Sequence, residues 1–115
     1  MERIYNKLVR DKIPNIIKEQ GETPVIRILD EIEYKNGLEK KLYEEYKEVI
    51  ESTGDDRIEE LADMLEVIRA LASLENKHLD DVIAIADKKM KSVVLLKKKF
   101  FLKRLLNQNN KILSI

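Results

Sequence analysis

At 115 residues the chain is sized for one domain, expected over 1–115, and a chain of this length buries roughly two-thirds of its unfolded surface, enough for a modest core. No cysteine, three glycines, two prolines and 38% charged residues exclude a disulfide frame and thiolate metal sites and point to a helical protein. Net charge is zero, but residues 30–66 carry 14 acids against 5 bases while residues 86–115 carry 9 bases against 1 acid, so the middle suits metal ions and is a poor nucleic-acid surface.

From the N-terminus, Met1 to Arg10 is charged and lacks the apolar core of a signal peptide. No run approaches the ~20 apolar residues of a membrane span. A cytoplasmic protein is expected, with neither a membrane nor nucleic acid as partner. Asp11 is placed to cap a short first helix, with Pro14 in its first turn, Ile13, Ile16 and Ile17 on its apolar edge and Gly21 at its end. Thr23 to Leu29, with Val25, Ile26 and Ile28, reads as an extended segment or a brief strand. Asp30 caps a long helix to about Ser52, with a kink or restart expected at Asn36-Gly37 and an apolar stripe of Leu38, Leu42, Tyr46 and Val49. Ser52-Thr53-Gly54 is the turn. Asp55 or Asp56 caps the next helix, which reaches about Glu75. After a break at Asn76-Lys77-His78, Leu79 opens a third long helix with Val82, Ile83, Ile85 and Ala86 as apolar positions. Ser92 to Leu106 is expected to be helical, and the end from Asn107 frayed. His78, the one histidine, falls in a loop and is expected to be exposed.

Two acidic pairs stand out, Glu45-x-x-Glu48 and Glu60-x-x-Asp63, one on each side of Gly54. Residues three apart share a helix face, so a helical hairpin converges four carboxylates on one point, a strongly repulsive cluster unless a cation compensates it. The first pair also fits an ordinary solvated helix face. The second does not. Glu59, Glu66, Arg69 and Ser73 form the polar strip of their helix, whereas Glu60 and Asp63 align with Met64, Val67, Leu71 and Leu74. Ile58, Leu61, Ala62, Leu65, Ile68 and Ala72 cover another side, which implies a central, largely buried helix. Carboxylates on an apolar face need a partner, and Arg57 and Arg69 lie elsewhere on the wheel. A hard cation such as Mg²⁺, which takes oxygen ligands and phosphates together, is the better compensation.

E-x-x-E followed across a short turn by E-x-x-D resembles the metal signature of the all-α, MazG-like nucleoside triphosphate pyrophosphohydrolases, relatives of phosphoribosyl-ATP pyrophosphohydrolase and dimeric dUTPases. The string Glu59-Glu60-Leu61-Ala62-Asp63-Met64-Leu65-Glu66-Val67 is similar to the family's second motif. The stretch from Tyr5 to Pro14, Tyr-Asn-Lys-Leu-Val-Arg-Asp-Lys-Ile-Pro, resembles the opening of one compact subgroup. The resemblance covers about residues 5–90, with a divergent tail over 91–115: the subgroup follows its third helix with a Gly-Gly-Phe segment, and Met90 to Phe101 contains no glycine. The resemblance implies Mg²⁺ (or Mn²⁺) held by Glu45, Glu48, Glu60 and Asp63, which also do the catalysis, and hydrolysis of a nucleoside triphosphate between its α and β phosphates to a monophosphate and pyrophosphate. A housecleaning role toward noncanonical nucleotides goes with it. Lys7, Arg10 and Lys12, inside the N-terminal string, and Lys88 and Lys89, on the third long helix, are the candidates for triphosphate binding. Neither a Ser-His-Asp or Cys-His arrangement nor the P-loop pattern G-x-x-x-x-G-K-[ST] is present, which argues against covalent catalysis and a P-loop NTPase.

The expected fold is all-α: an antiparallel bundle of three main helices plus a short N-terminal helix. A homodimer, or a tetramer, would complete a four-helix-type core, and that oligomer rests on the resemblance. The competing expectation is a non-enzymatic helical interaction protein whose basic, apolar residues 91–106 form an amphipathic tail for a partner or a membrane surface. Packing of Val93, Leu96 and Phe100 on the bundle or a dimer partner is the blander reading of that tail.

Overall fold

A computed structural model describes residues 1–106; the fraying expected from Asn107 falls outside them. The described chain is all-α, with four helices and no strand: α1 (Ile13–Glu19), α2 (Glu31–Glu51), α3 (Gly54–Leu74) and α4 (Leu79–Val93). It divides into two compact units, Met1–Leu79 and a second from Asp80 onward. No helix among the described residues is long and apolar enough to cross a membrane.

In the first unit α1 starts without the expected cap from Asp11; Lys12 holds the N-cap position. A cap at Asp11 would have nothing to serve. The Ile13 amide already donates to the Arg10 carbonyl at 3.0 Å, and Pro14 has no amide hydrogen. Gly21, at φ +84°, ends the helix in the left-handed region and donates to the Lys18 carbonyl at 3.0 Å. Residues 23–29 form no strand, for no second strand is there to pair with them, and Val25 and Ile28 are exposed.

Asp30 caps α2 in a reciprocal box: its Oδ1 accepts from the Glu33 amide at 2.8 Å, and Glu33 Oε1 accepts from the Asp30 amide at 3.3 Å. No restart occurs at Asn36-Gly37; α2 runs through it. A glycine inside a helix costs about 1 kcal/mol relative to alanine, and here it carries packing: a Cβ on Gly37 would sit 3.7 Å from Leu29 Cδ1 and 3.9 Å from Leu8 Cδ2. Leu38 is buried and Leu42 and Val49 half-buried, but Tyr46 of the expected stripe is exposed and stacks on Tyr43 with centroids 6.1 Å apart.

α2 and α3 pack together as a hairpin. Ser52 closes α2 by donating its hydroxyl to the Glu48 carbonyl at 2.8 Å, and Arg57 Nε reaches back to the Ser52 carbonyl at 2.8 Å. Gly54 takes φ +61° and is the first residue of α3, so the helix begins earlier than a cap at Asp55 or Asp56 would allow. Those acids lie instead in the first turn, where the helix macrodipole favours them. On α3 the face expected to be inward is inward: Glu60, Asp63, Met64, Leu71 and Leu74 are half-buried and Val67 is buried. The opposite side corrects the expectation of a central helix, since Ile58, Leu61, Ala62 and Leu65 are exposed. A two-helix hairpin can cover only one face of each helix.

α4 begins at Leu79 as expected, after a break where Asn76 takes φ +58°. Leu79 is buried; Val82, Ile83 and Ile85 are exposed. The helix expected to run to Leu106 ends at Val93. Residues 94–106 are not helical, Val94 and Lys99 have φ of +64° and +63°, and Leu96, Phe100 and Phe101 are exposed rather than packed. Three successive lysines repel one another, β-branched Val93 and Val94 are stiff, and a helix with no apolar face buried is not self-supporting.

Candidate metal centre

The hairpin sets the site by register. Glu48 and Glu60 lie six residues on either side of Gly54, and Glu45 and Asp63 lie nine. In an antiparallel hairpin turning at Gly54, each pair therefore forms one rung, and the two rungs are one helical turn apart. One oxygen each from Glu45, Glu60 and Asp63 lies within 4.8 Å of the others. Oxygens sharing one Mg²⁺ lie about 2.9 Å apart when adjacent and about 4.1 Å apart when opposite, from a bond length of roughly 2.0–2.1 Å, so the three would draw together to share an ion. Glu48 is not in this triad. It is exposed, and it lies close enough to raise the carboxyls of both Glu45 and Glu60.

Glu45 is 7% exposed, the one buried charged residue among those described. Its Oε1 lies 3.9 Å from Lys41 Nζ, and its Oε2 accepts no hydrogen bond; Glu60 Oε2 is likewise sealed from solvent without a partner. Leaving a buried carboxylate oxygen unpaired is costly. Burial first, and then the charge of Glu48, push the Glu45 carboxyl above its ordinary value; Lys41 offsets part of this and Asp63 adds to it. Glu60 is pushed up to about 7, by its hydrogen bond with Glu48, by desolvation and by the charges of Glu48, Asp63 and Glu45. Three crowded carboxyls, two with orphaned oxygens, fit an all-oxygen cation site on this observation alone.

Asp63 has a partner. Arg10 Nη2 donates to its Oδ1 at 2.8 Å, across 53 residues of sequence. Of the cations expected at a triphosphate, Arg10 is thus brought to the cluster, and Lys7 lines a cleft of about 350 Å³ between the N-terminal segment and α2 whose wall includes Glu48. Lys12 is exposed at the start of α1. Lys88 and Lys89 are exposed on α4, in the second unit. His78 is an exposed loop residue, as expected. Sequence reasoning passed over Lys40 and Lys47, which share the cleft with Lys7, Tyr5 and Asn6. The signal was available, because Lys40, Lys47 and Glu48 fall on one stripe of α2 at helical spacing.

No family model matches the chain, and no solved structure matches it. The chain is similar to an uncharacterized protein of Mycolicibacterium smegmatis, 51% identical over 43 residues, which make up 37% of this chain and 44% of that protein. The similarity therefore spans less than half the length of that relative.

Proposed function

We propose that the protein is a Mg²⁺-dependent nucleoside triphosphate pyrophosphohydrolase that releases a nucleoside monophosphate and pyrophosphate, with a housecleaning role in the cytoplasm. The observation that carries this reading is the pair of buried, unpartnered oxygens on Glu45 and Glu60, one turn apart across the hairpin and grouped with Asp63. Glu45, Glu60 and Asp63 would hold the cation, which when bound neutralises phosphate oxygens and acidifies a water. Glu48, exposed and outside the triad, would orient that water toward the α-phosphorus and take its proton. The bridging oxygen then leaves with the β-phosphate. Lys7, Lys40 and Lys47 line the adjoining cleft together with Glu44, Glu48 and Glu51, so its cations stand beside an equal number of carboxylates. The exposed Ile58, Leu61 and Leu65 of α3 are the surface that a second copy would cover in a homodimer.

The test is a nucleotide panel with Mg²⁺, reading pyrophosphate against orthophosphate. Pyrophosphate with a monophosphate is expected. Orthophosphate alone would mean cleavage at the γ-phosphate and a different enzyme class. The non-enzymatic alternative draws on the exposed apolar side chains of residues 94–106. It predicts no thermal response to Mg²⁺ or Mn²⁺, and liposome co-sedimentation at low salt if the tail meets a membrane.

A further inference from the structure

Arg10 contacts Asp63 where a cation at the triad would also need it. Its guanidinium already gives Asp63 the positive neighbour that Glu45 Oε2 and Glu60 Oε2 lack. A divalent ion entering beside Asp63 meets that fixed positive charge at short range, and the two compete for one carboxylate. The competition ends if the guanidinium finds another anion. A phosphate is a suitable one, since arginine's planar fork matches its oxygens. Arg10 follows Tyr5, Asn6 and Lys7 in the N-terminal segment, and those residues wall a cleft that Glu48 also lines. Arg10 and Asp63 are both about half exposed, with side chains 57% and 46% accessible, so the exchange requires no unpacking of the hairpin.

We propose that Arg10 makes this centre select a divalent cation carried by a di- or triphosphate over the free ion, releasing Asp63 to the cation only when a phosphate oxygen takes its guanidinium. The inference rests on the metal-dependent reading above and adds to it an order of binding. Arg10 is a specificity-determining residue here, not a permanent ligand of either group.

The experiment measures Mn²⁺ affinity of the full chain by titration calorimetry, alone and with imidodiphosphate, a pyrophosphate analogue that carries no base. In the unaltered protein imidodiphosphate should tighten Mn²⁺ binding at least tenfold. In Arg10→Gln, Mn²⁺ alone should bind about tenfold more tightly than before, and the gain from imidodiphosphate should largely vanish. Arg10→Lys, which keeps the charge but loses the fork, should keep weak binding of the free ion. Helix content by circular dichroism checks folding of each variant. Unchanged Mn²⁺ affinity in Arg10→Gln, beside measurable binding in the unaltered protein, would overturn the exchange and leave the metal reading standing. No Mn²⁺ binding by the unaltered protein, with or without imidodiphosphate, would overturn both.

Discussion

The two ends of α2 treat a glutamate in opposite ways. At the N-terminal end Glu33 lies in the capping box with Asp30 and also accepts from Arg27, at 3.0 Å from Nη1 and 2.5 Å from Nη2. Those hydrogen bonds, Arg27 foremost, pull its carboxyl down to about 2. Three turns on, Glu45 has a buried oxygen with no partner, and across the hairpin Glu60 is pushed up to about 7. The first arrangement serves the fold: both carboxylate oxygens of Glu33 accept from donors. The second works against the metal-free fold, and a chain that only needed a stable hairpin would do better with apolar residues there. A glutamate kept where it destabilises is a better guide to function than one kept where it is satisfied.

The largest effect of this contrast lies in activity. Glu48→Gln, Glu60→Gln and Asp63→Asn should each reduce pyrophosphate release at least about a hundredfold, the scale of removing a preorganised group that acts on developing charge, with helix content unchanged by circular dichroism. Asp30→Ala should leave turnover intact.

Divalent ion should stabilise the acidic end and not the capped end. At a hundredfold excess over its Kd, a ligand of the folded state alone contributes about 2.7 kcal/mol. A corresponding rise in Tm with Mn²⁺ is expected in the unaltered protein and in Asp30→Ala, and none in Glu45→Gln. A Tm that ignores Mn²⁺ in all three would collapse the distinction between the two ends.

The ends should also differ in the sign of their pH dependence. Between the ordinary value of 4.5 and about 7, folded Glu60 holds a proton that the unfolded chain has lost. Unfolding then releases a proton, and metal-free stability should fall as pH rises through that window. Glu33 acts oppositely and lower: its folded value of about 2 means that its contribution is present above 4.5 and is lost as pH falls toward 2. Urea unfolding at stepped pH reads both slopes. Glu60→Gln should flatten the upper one alone, and added Mn²⁺ should do the same.

The smallest effect concerns the cap. Asp30→Ala should cost about 1 kcal/mol, the usual loss for an N-cap aspartate, with equal loss in the presence and absence of metal. A metal-dependent cost would show that the two ends are coupled.

Much of this was open to inspection in the residue order. The all-α class, the cap at Asp30, the stop at Gly21 and the turn at Ser52-Thr53-Gly54 come from local rules that involve only near neighbours. The inward face of α3 followed from periodicity, and the equal spacing of both acidic pairs about Gly54 holds the register of the cluster in plain view. Where reading failed, a distant or missing contact was the cause. Gly37 looked like a helix break until Leu8 and Leu29 lay over it. Asp11 looked like a cap until the Ile13 amide was taken by the Arg10 carbonyl. Ser92 to Leu106 reads as helical, yet beyond Val93 no helix continues, and Leu96, Phe100 and Phe101 are exposed.

Residue order alone, then, determined which side chains are acidic, which helix carries them and which rung of a hairpin each would occupy, because helical period and turn length are properties of adjacent residues. Tertiary structure alone decided that Glu45 is sealed while Glu48 stays open to solvent, that an oxygen on each of Glu45 and Glu60 goes unpaired, and that Arg10 rather than Arg57 or Arg69 reaches Asp63. Burial and hydrogen-bond satisfaction depend on what arrives from elsewhere in the chain, and no spacing rule encodes the arrival of a guanidinium from 53 residues away.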